Sequence, residues 1–150
     1  MTQKTQPRMD LLLWRHAEAV DHDDNDMERQ LTDRGLKQAK SVGRWILAHH
    51  PKKLRILVSP AIRTIQTAEA LGLQFEINHQ LGPAAGVDDL MAAANWPSAD
   101  GAVLLVGHKR TLGRLAAHLL TGTEMELAIK KGAVWWFTHG GSCCNRKYVA

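Results

Sequence analysis

The sequence predicts an α/β fold. Three short apolar runs, at residues 11–14, 56–58 and 102–106, are each followed by turn or cap chemistry and then by apolar residues at helical spacing. With 150 residues, 45% apolar and 23% charged, the chain has the size and make-up of one ordinary domain. A domain of this length buries enough surface for a core without disulfide or metal staples.

Taken in order, residues 1–10 read as a polar extension without an apolar signal segment, so a cytoplasmic address is expected. The run 11–14 is the first strand. Residues 33–50 place Leu36, Ala39, Gly43, Ile46 and Leu47 at three- and four-residue steps, with Thr32 as N-cap and Pro51 beyond the end, which predicts a long amphipathic helix. The strand 56–58 feeds a helix opened by Ser59 as cap and Pro60 at the first helical position; its apolar positions are Ile62, Ile65 and Ala68, and it stops near Gly72. Residues 75–77 read as a short strand, and the Gly-, Ala- and Pro-punctuated stretch 82–100 yields only a short helix near 88–94. After the strand 102–106, a helix from Lys109 carries Leu112, Leu115, Ala116 and Leu119 on one face and stops at Gly122. Residues 133–138 read as a last strand, in which Trp135 and Trp136 point to opposite faces. One ring would be buried and the other exposed, with core packing as the default and an interface as the alternative.

Composition excludes several classes of function. No apolar run approaches the roughly 20 residues of a membrane-spanning helix. The net charge of +4 divides into 0, −1 and +5 over residues 1–50, 51–100 and 101–150. That excess points to anions, but no basic run exceeds two residues and no aromatics interleave it, so Arg110, Lys130 and Lys131 read as a solvated basic rim rather than a nucleic-acid site. Cys143 and Cys144 are neighbours, a spacing that rarely satisfies disulfide geometry. The remaining histidines lack zinc-ligand spacing. The acidic segment 21–26 mimics the start of a calcium loop but has Asp26 where Gly is required and Thr32 where Glu is required. It reads as a solvated loop, with bordering a pocket mouth as the alternative. Walker and dinucleotide fingerprints are absent.

In open α/β sheets, ligands gather beyond the carboxyl ends of the strands. Arg15 and His16 follow the first strand, Ser59 and then Arg63 the second, and Gly107 and His108 the third. Taken singly, a histidine after a strand is more often a capped or solvent-bridged residue. Two arginines and two histidines at three strand ends instead suit a tetrahedral dianion, because guanidinium forks match phosphate oxygens and helix N-termini add free N–H groups. A neutral imidazole flanked by cations is also a nucleophile, which singles out His16.

These residues lie in segments that resemble a known family. Residues 11–19, Leu-Leu-Leu-Trp-Arg-His-Ala-Glu-Ala, resemble the Arg-His-Gly signature of the histidine phosphatase (phosphoglycerate-mutase-like) superfamily, with Ala17 in place of Gly. Arg29 to Gly35 with Gln38-Ala39, Val58 to Thr67, and Val106-Gly107-His108 resemble its later motifs, in the same order. The small size is most similar to the short, SixA-type branch of phosphohistidine phosphatases. The resemblance implies a single histidine phosphatase domain over residues 11–150, a three-layer α/β/α sandwich with a mostly parallel central sheet. It further implies His16 as nucleophile, a phosphate pocket of Arg15, Arg63 and His108, and no metal or organic cofactor. Arg29 and Glu18 are expected to contact substrate, although Arg29 equally suits pairing with the acidic loop.

The stretch 81–86 lacks the Glu that larger relatives use to protonate the leaving oxygen. An acid-poor site suits a phosphoramidate, whose protonated ring leaves as neutral imidazole; Asp88, Asp89 or Glu18 would be the replacement acid. The expected substrate is therefore phosphohistidine in a protein partner. A small phosphate monoester and a non-catalytic phosphate-binding module are the alternatives, and no nucleic-acid or membrane partner is expected.

Overall fold

The computed structural model describes residues 8–21, 24–140 and 148–149. The cysteines at 143 and 144 lie outside them. Six strands form one sheet in the order β3-β2-β4-β1-β5-β6. They are β1 (Met9–Arg15), β2 (Leu54–Val58), β3 (Glu76–Ile77), β4 (Gly101–Gly107), β5 (Val134–His139) and β6 (Tyr148–Val149). The helices are α1 (Asp33–His49), α2 (Ile62–Glu69), α3 (Val87–Ala94) and α4 (Lys109–Thr121).

Alternation along β1 sets the layers. Leu11 and Leu13 face α3 and α4, packing with Leu90, Leu112 and Leu115, while Leu12 and Trp14 face α1 and α2, packing with Ile46 and Ala68. Both faces are covered, which is why the strands read as continuous apolar runs rather than alternating ones. The same fact corrects the expectation for the tryptophans. Trp135 packs on one face and Trp136 on the other, and each is only 8% exposed.

The sheet is mixed, which corrects the expected mostly parallel one. β1, β2, β3 and β4 run parallel, whereas β5 pairs antiparallel with both β1 and β6. The reason lies in the return path. α4 brings the chain back to the amino ends of the strands and stops at Gly122, whose φ of 76° is the left-handed conformation glycine tolerates. Residues 123–133 then climb to the carboxyl ends, so β5 enters the sheet from the end where its neighbours finish.

Element boundaries shift by a few residues from expectation, and two of the shifts have a visible cause. β1 starts at Met9, because the Asp10 carboxylate is accommodated in the sheet by Trp136 Nε1 at 3.1 Å and Thr138 Oγ1 at 2.7 Å. α2 starts at Ile62 with Ala61 as N-cap, not at Ser59-Pro60; the Ser59 hydroxyl oxygen accepts from His108 Nε2 at 2.8 Å and, at a long 3.4 Å, from Ala61 N–H ahead of the helix. Among the described residues, no helix is long and apolar enough to cross a membrane, and no group of three or more His, Cys, Asp or Glu is placed to hold a metal ion.

Candidate active site

The carboxyl ends of β1, β2 and β4 bring Arg15, His16, Arg63 and His108 to one place. His16 is pinned at both backbone groups: its N–H donates to the Gly107 carbonyl at 3.0 Å and its carbonyl accepts from Gly132 N–H at 3.1 Å. The next residues are tied to the helices of one layer, Ala17 N–H to Thr67 Oγ1 and Glu18 N–H to Gln38 Oε1, each at 3.1 Å. Ala17, which stands where the family signature has Gly, is fully buried in a small cluster with Ala19, Leu31 and Ala39. In this loop's surroundings a close approach that does require glycine is at Gly35, where a Cβ would overlap the Glu18 carbonyl oxygen.

The two imidazoles are 5.7 Å apart between ring centroids and almost fully buried. His16 Nδ1 lies 2.7 Å from the Ala17 carbonyl. A carbonyl only accepts, so Nδ1 carries the hydrogen and Nε2 the lone pair. Burial pushes the His16 pKa down to about 4; the charges of Arg63, Arg15 and Arg29 add to that, and the Ala17 carbonyl opposes it. At neutral pH this ring is therefore an unprotonated nitrogen base. His108 has the opposite tautomer. Arg63 Nη2 donates to its Nδ1 at 3.3 Å, so its Nε2 carries the hydrogen and donates to Ser59 Oγ at 2.8 Å. Burial first, and then Arg63, lower its pKa to about 3.

These depressed values make stability depend on pH. Above 6.5, the ordinary value, both rings are neutral in the folded and unfolded chain. As pH falls below it the unfolded chain takes up protons that the folded one refuses, so stability declines, at up to about 1.4 kcal/mol per pH unit for each ring. The decline from this source ends once the folded values of about 4 and 3 are passed. Denaturant unfolding at pH 7.5, 6 and 5 should therefore show falling stability, with a shallower fall in His108→Gln.

The guanidiniums are anchored in matching ways. Arg15 Nη1 donates to the Ile129 carbonyl at 2.7 Å, and Arg63 Nη1 donates to the Asp26 carbonyl at 2.7 Å. In both, Nε is buried and finds no acceptor within the protein. Leaving such donors unsatisfied costs about 1–3 kcal/mol each, a cost that an anion with several acceptor oxygens would remove.

The other expected site residues fall differently. Of the two parts expected of Arg29, the pairing with the acidic loop is the one formed. Arg29 pairs with Asp26 of the acidic segment at 3.2 Å, and its charge acts on His16. Glu18 is turned to the start of α1, where its carboxylate accepts from Thr32 Oγ1 at 3.0 Å and lies 3.9 Å from Arg34. Asp89 accepts from Gly86 N–H at 2.9 Å as part of the α3 cap.

Two contributors were not expected. Asp26 Oδ2 accepts from Arg63 Nη2 at 3.1 Å; burial raises its pKa, but hydrogen bonds and charges from Arg29 and Arg63 outweigh that and hold it below the usual carboxylate range. Ser59 orients His108. Nothing in local spacing singles out Asp26 among the segment's acids, and Ser59 carries the signal of a helix cap.

The family model of the histidine phosphatase superfamily (branch 1) matches residues 11–85, half of the chain. The chain is 28% identical over 122 residues to phosphohistidine phosphatase SixA of Escherichia coli (strain K12), covering 76% of each chain. It is 32% identical over 136 residues to an uncharacterized protein of Picosynechococcus sp., covering 84% of this chain and 82% of that one. Among solved structures it resembles the protein histidine phosphatase SixA complexed with tungstate, with a TM-score of 0.75, 27% identity and coverage of 93% and 94%. The fold also matches a chain from Nakamurella multipartitia with a TM-score of 0.77 at 24% identity, over 98% of each. The chain thus belongs to branch 1 of the histidine phosphatase superfamily, is SixA-like within it, and is a phosphatase.

Proposed function

We propose that this phosphatase removes phosphate from phosphohistidine in a protein partner, through a covalent intermediate on His16. The observation that carries the reading is the unprotonated His16 Nε2, which feels the charges of Arg63 and Arg15, two guanidiniums whose buried Nε–H groups lack acceptors among the described residues. In the first step Nε2 forms a bond to phosphorus as the substrate's P–N bond breaks. Arg15 and Arg63 hold the equatorial oxygens, so the spreading charge is stabilised by donors already in place, and His108, whose ring nitrogens are engaged by Arg63 and Ser59, positions the Arg63 guanidinium beside them. The substrate ring, protonated on its other nitrogen, takes the bonding pair and leaves as neutral imidazole. In the second step water attacks phosphorus, the bond to Nε2 breaks, and the water's proton goes to the released phosphate.

The carboxylates support a phosphoramidate over an alkyl ester. Glu18 and Asp89 are engaged in structural hydrogen bonds and Asp26 is held ionised, so none of these three is poised to protonate an alkoxide; Asp88, exposed in the first turn of α3, is the expected acid that no such contact occupies. The E. coli relative bears the name of a phosphohistidine phosphatase, and the SixA relative was solved with tungstate, a tetrahedral oxyanion like phosphate.

The test is single-turnover mixing with a radiolabelled phosphohistidine peptide, quenched in alkaline denaturant because the phosphoramidate bond is acid-labile. Label should appear transiently on His16 and then as inorganic phosphate. Faster cleavage of an alkyl phosphate than of the peptide would shift the reading to a small phosphomonoesterase, and phosphate binding without turnover to a non-catalytic module.

A further inference from the structure

Four cations flank the candidate active site and pair with no acid among the described residues. Lys109 and Arg110 occupy the first turn of α4, directly after His108. Lys130 and Lys131 sit between Ile129, whose carbonyl holds Arg15, and Gly132, whose N–H holds His16. All four are exposed, and among the described residues none forms an ion pair or a side-chain hydrogen bond. At the amino end of the sheet Lys53 pairs with Asp100 and Arg55 with Glu76, each at 2.9 Å, and Lys52 beside them is the exposed cation left over. Lys109 and Arg110 also stand against the α4 dipole, whose first turn holds no acid.

Each pair borders a cavity. Lys109 and Arg110 share one of about 330 Å³ with Glu126, Leu127 and Ala128, and Lys130 and Lys131 share another of about 330 Å³ with Gln38, Ser41 and Val42. The single acid of the first cavity, Glu126, leans to Arg114 at 4.0 Å.

We infer that this unpaired basic rim with its two cavities is a docking surface for an acidic stretch of the phosphorylated protein, on either side of its phosphohistidine. The inference rests on the proposed reading of the site and adds a recognition rule to it. Unpaired exposed cations steer and hold an acidic partner, with an effect that salt screens. A peptide fits better than a nucleic acid. The cavities offer aliphatic walls for side chains, whereas Trp135 and Trp136, which would be needed for base stacking, are buried in the core.

The experiment uses two synthetic peptides of equal length, each with one central phosphohistidine, flanked by Glu in one and by Ser in the other. With the wild-type protein at low salt, kcat/KM should favour the Glu-flanked peptide by about tenfold, and the advantage should vanish at about 0.5 M salt. An Arg110→Glu, Lys131→Glu double variant should lose the preference while keeping the rate on the Ser-flanked peptide. Equal kcat/KM for the two peptides, or an equal loss on both in the variant, overturns the inference. Fluorescence anisotropy of the same peptides without phosphate reads docking apart from chemistry. Tighter binding of the Glu-flanked one upholds the surface even if neither phosphopeptide is turned over, an outcome that would sink the proposed reaction alone. Tighter binding of an oligouridylate of matched charge overturns the inference in favour of RNA.

Discussion

His16→Ala is expected to lower turnover of a phosphohistidine peptide by about 10⁴-fold or more and to abolish the labelled protein intermediate, with phosphate affinity kept within about tenfold. The split follows from how the site is built. The nucleophilic lone pair belongs to one ring, whereas Arg15, Arg63 and His108 are held by the Ile129 carbonyl, by Asp26 and by Ser59, contacts the substitution does not touch. The backbone bonds of residue 16 to Gly107 and Gly132 need no side chain, so the loop stays where it is. Isothermal titration with inorganic phosphate, run beside the turnover assay, separates the two effects. Loss of both together would mean that the ring holds the site together rather than attacking phosphorus.

Arg63→Ala is expected to lower kcat/KM by about 10²–10³-fold, the usual consequence of removing a positioned donor from developing charge. It should also change the histidines. Arg63 is the largest charge acting on both His16 and His108, so without it both take up protons at higher pH than the values of about 4 and 3 found in the intact site. The acid limb of the pH–rate profile should then move upward, and NMR titration of the ring protons would follow the same change directly. Arg63→Lys should restore part of that shift but recover less than about tenfold of the rate. An ammonium supplies charge without the planar fork that reaches Asp26, His108 and the phosphoryl group together.

The sequence alone made much of the site legible, for a local reason. Whether a strand ends at Arg15, at Val58 or at Gly107 is settled by the apolar run and the cap chemistry that follows it, and in an α/β sheet those ends face one crevice. Arg15, His16, Arg63 and His108 could therefore be named from position and chemistry before any contact was known. The helix starts at Thr32 and the stop at Gly122 were readable for the same reason, since a cap is a matter of a few neighbouring residues. Ser59 misled because its shorter bond goes to a distant partner, His108, and its local bond, to Ala61 N–H, falls before the helix begins.

Periodicity states which face a side chain points to, but not what lies over that face. That distinction divides what the chain determined by itself from what tertiary structure decided. By itself the sequence determined the succession of β1 to β5 and the four helices, though not β6, together with the apolar stripe on each and the residue types at the strand ends that face the site. Tertiary structure alone decided that β5 runs against β1, that both Trp135 and Trp136 are covered, and that Asp26 of the acidic segment holds Arg63 across 37 positions while the Ile129 carbonyl holds Arg15 across 114. Such contacts depend on where separate layers bring the chain back together, and no short stretch of residues encodes that approach. The tautomers of His16 and His108 belong to the same class, because a ring nitrogen carries its hydrogen according to the partner it meets in the fold.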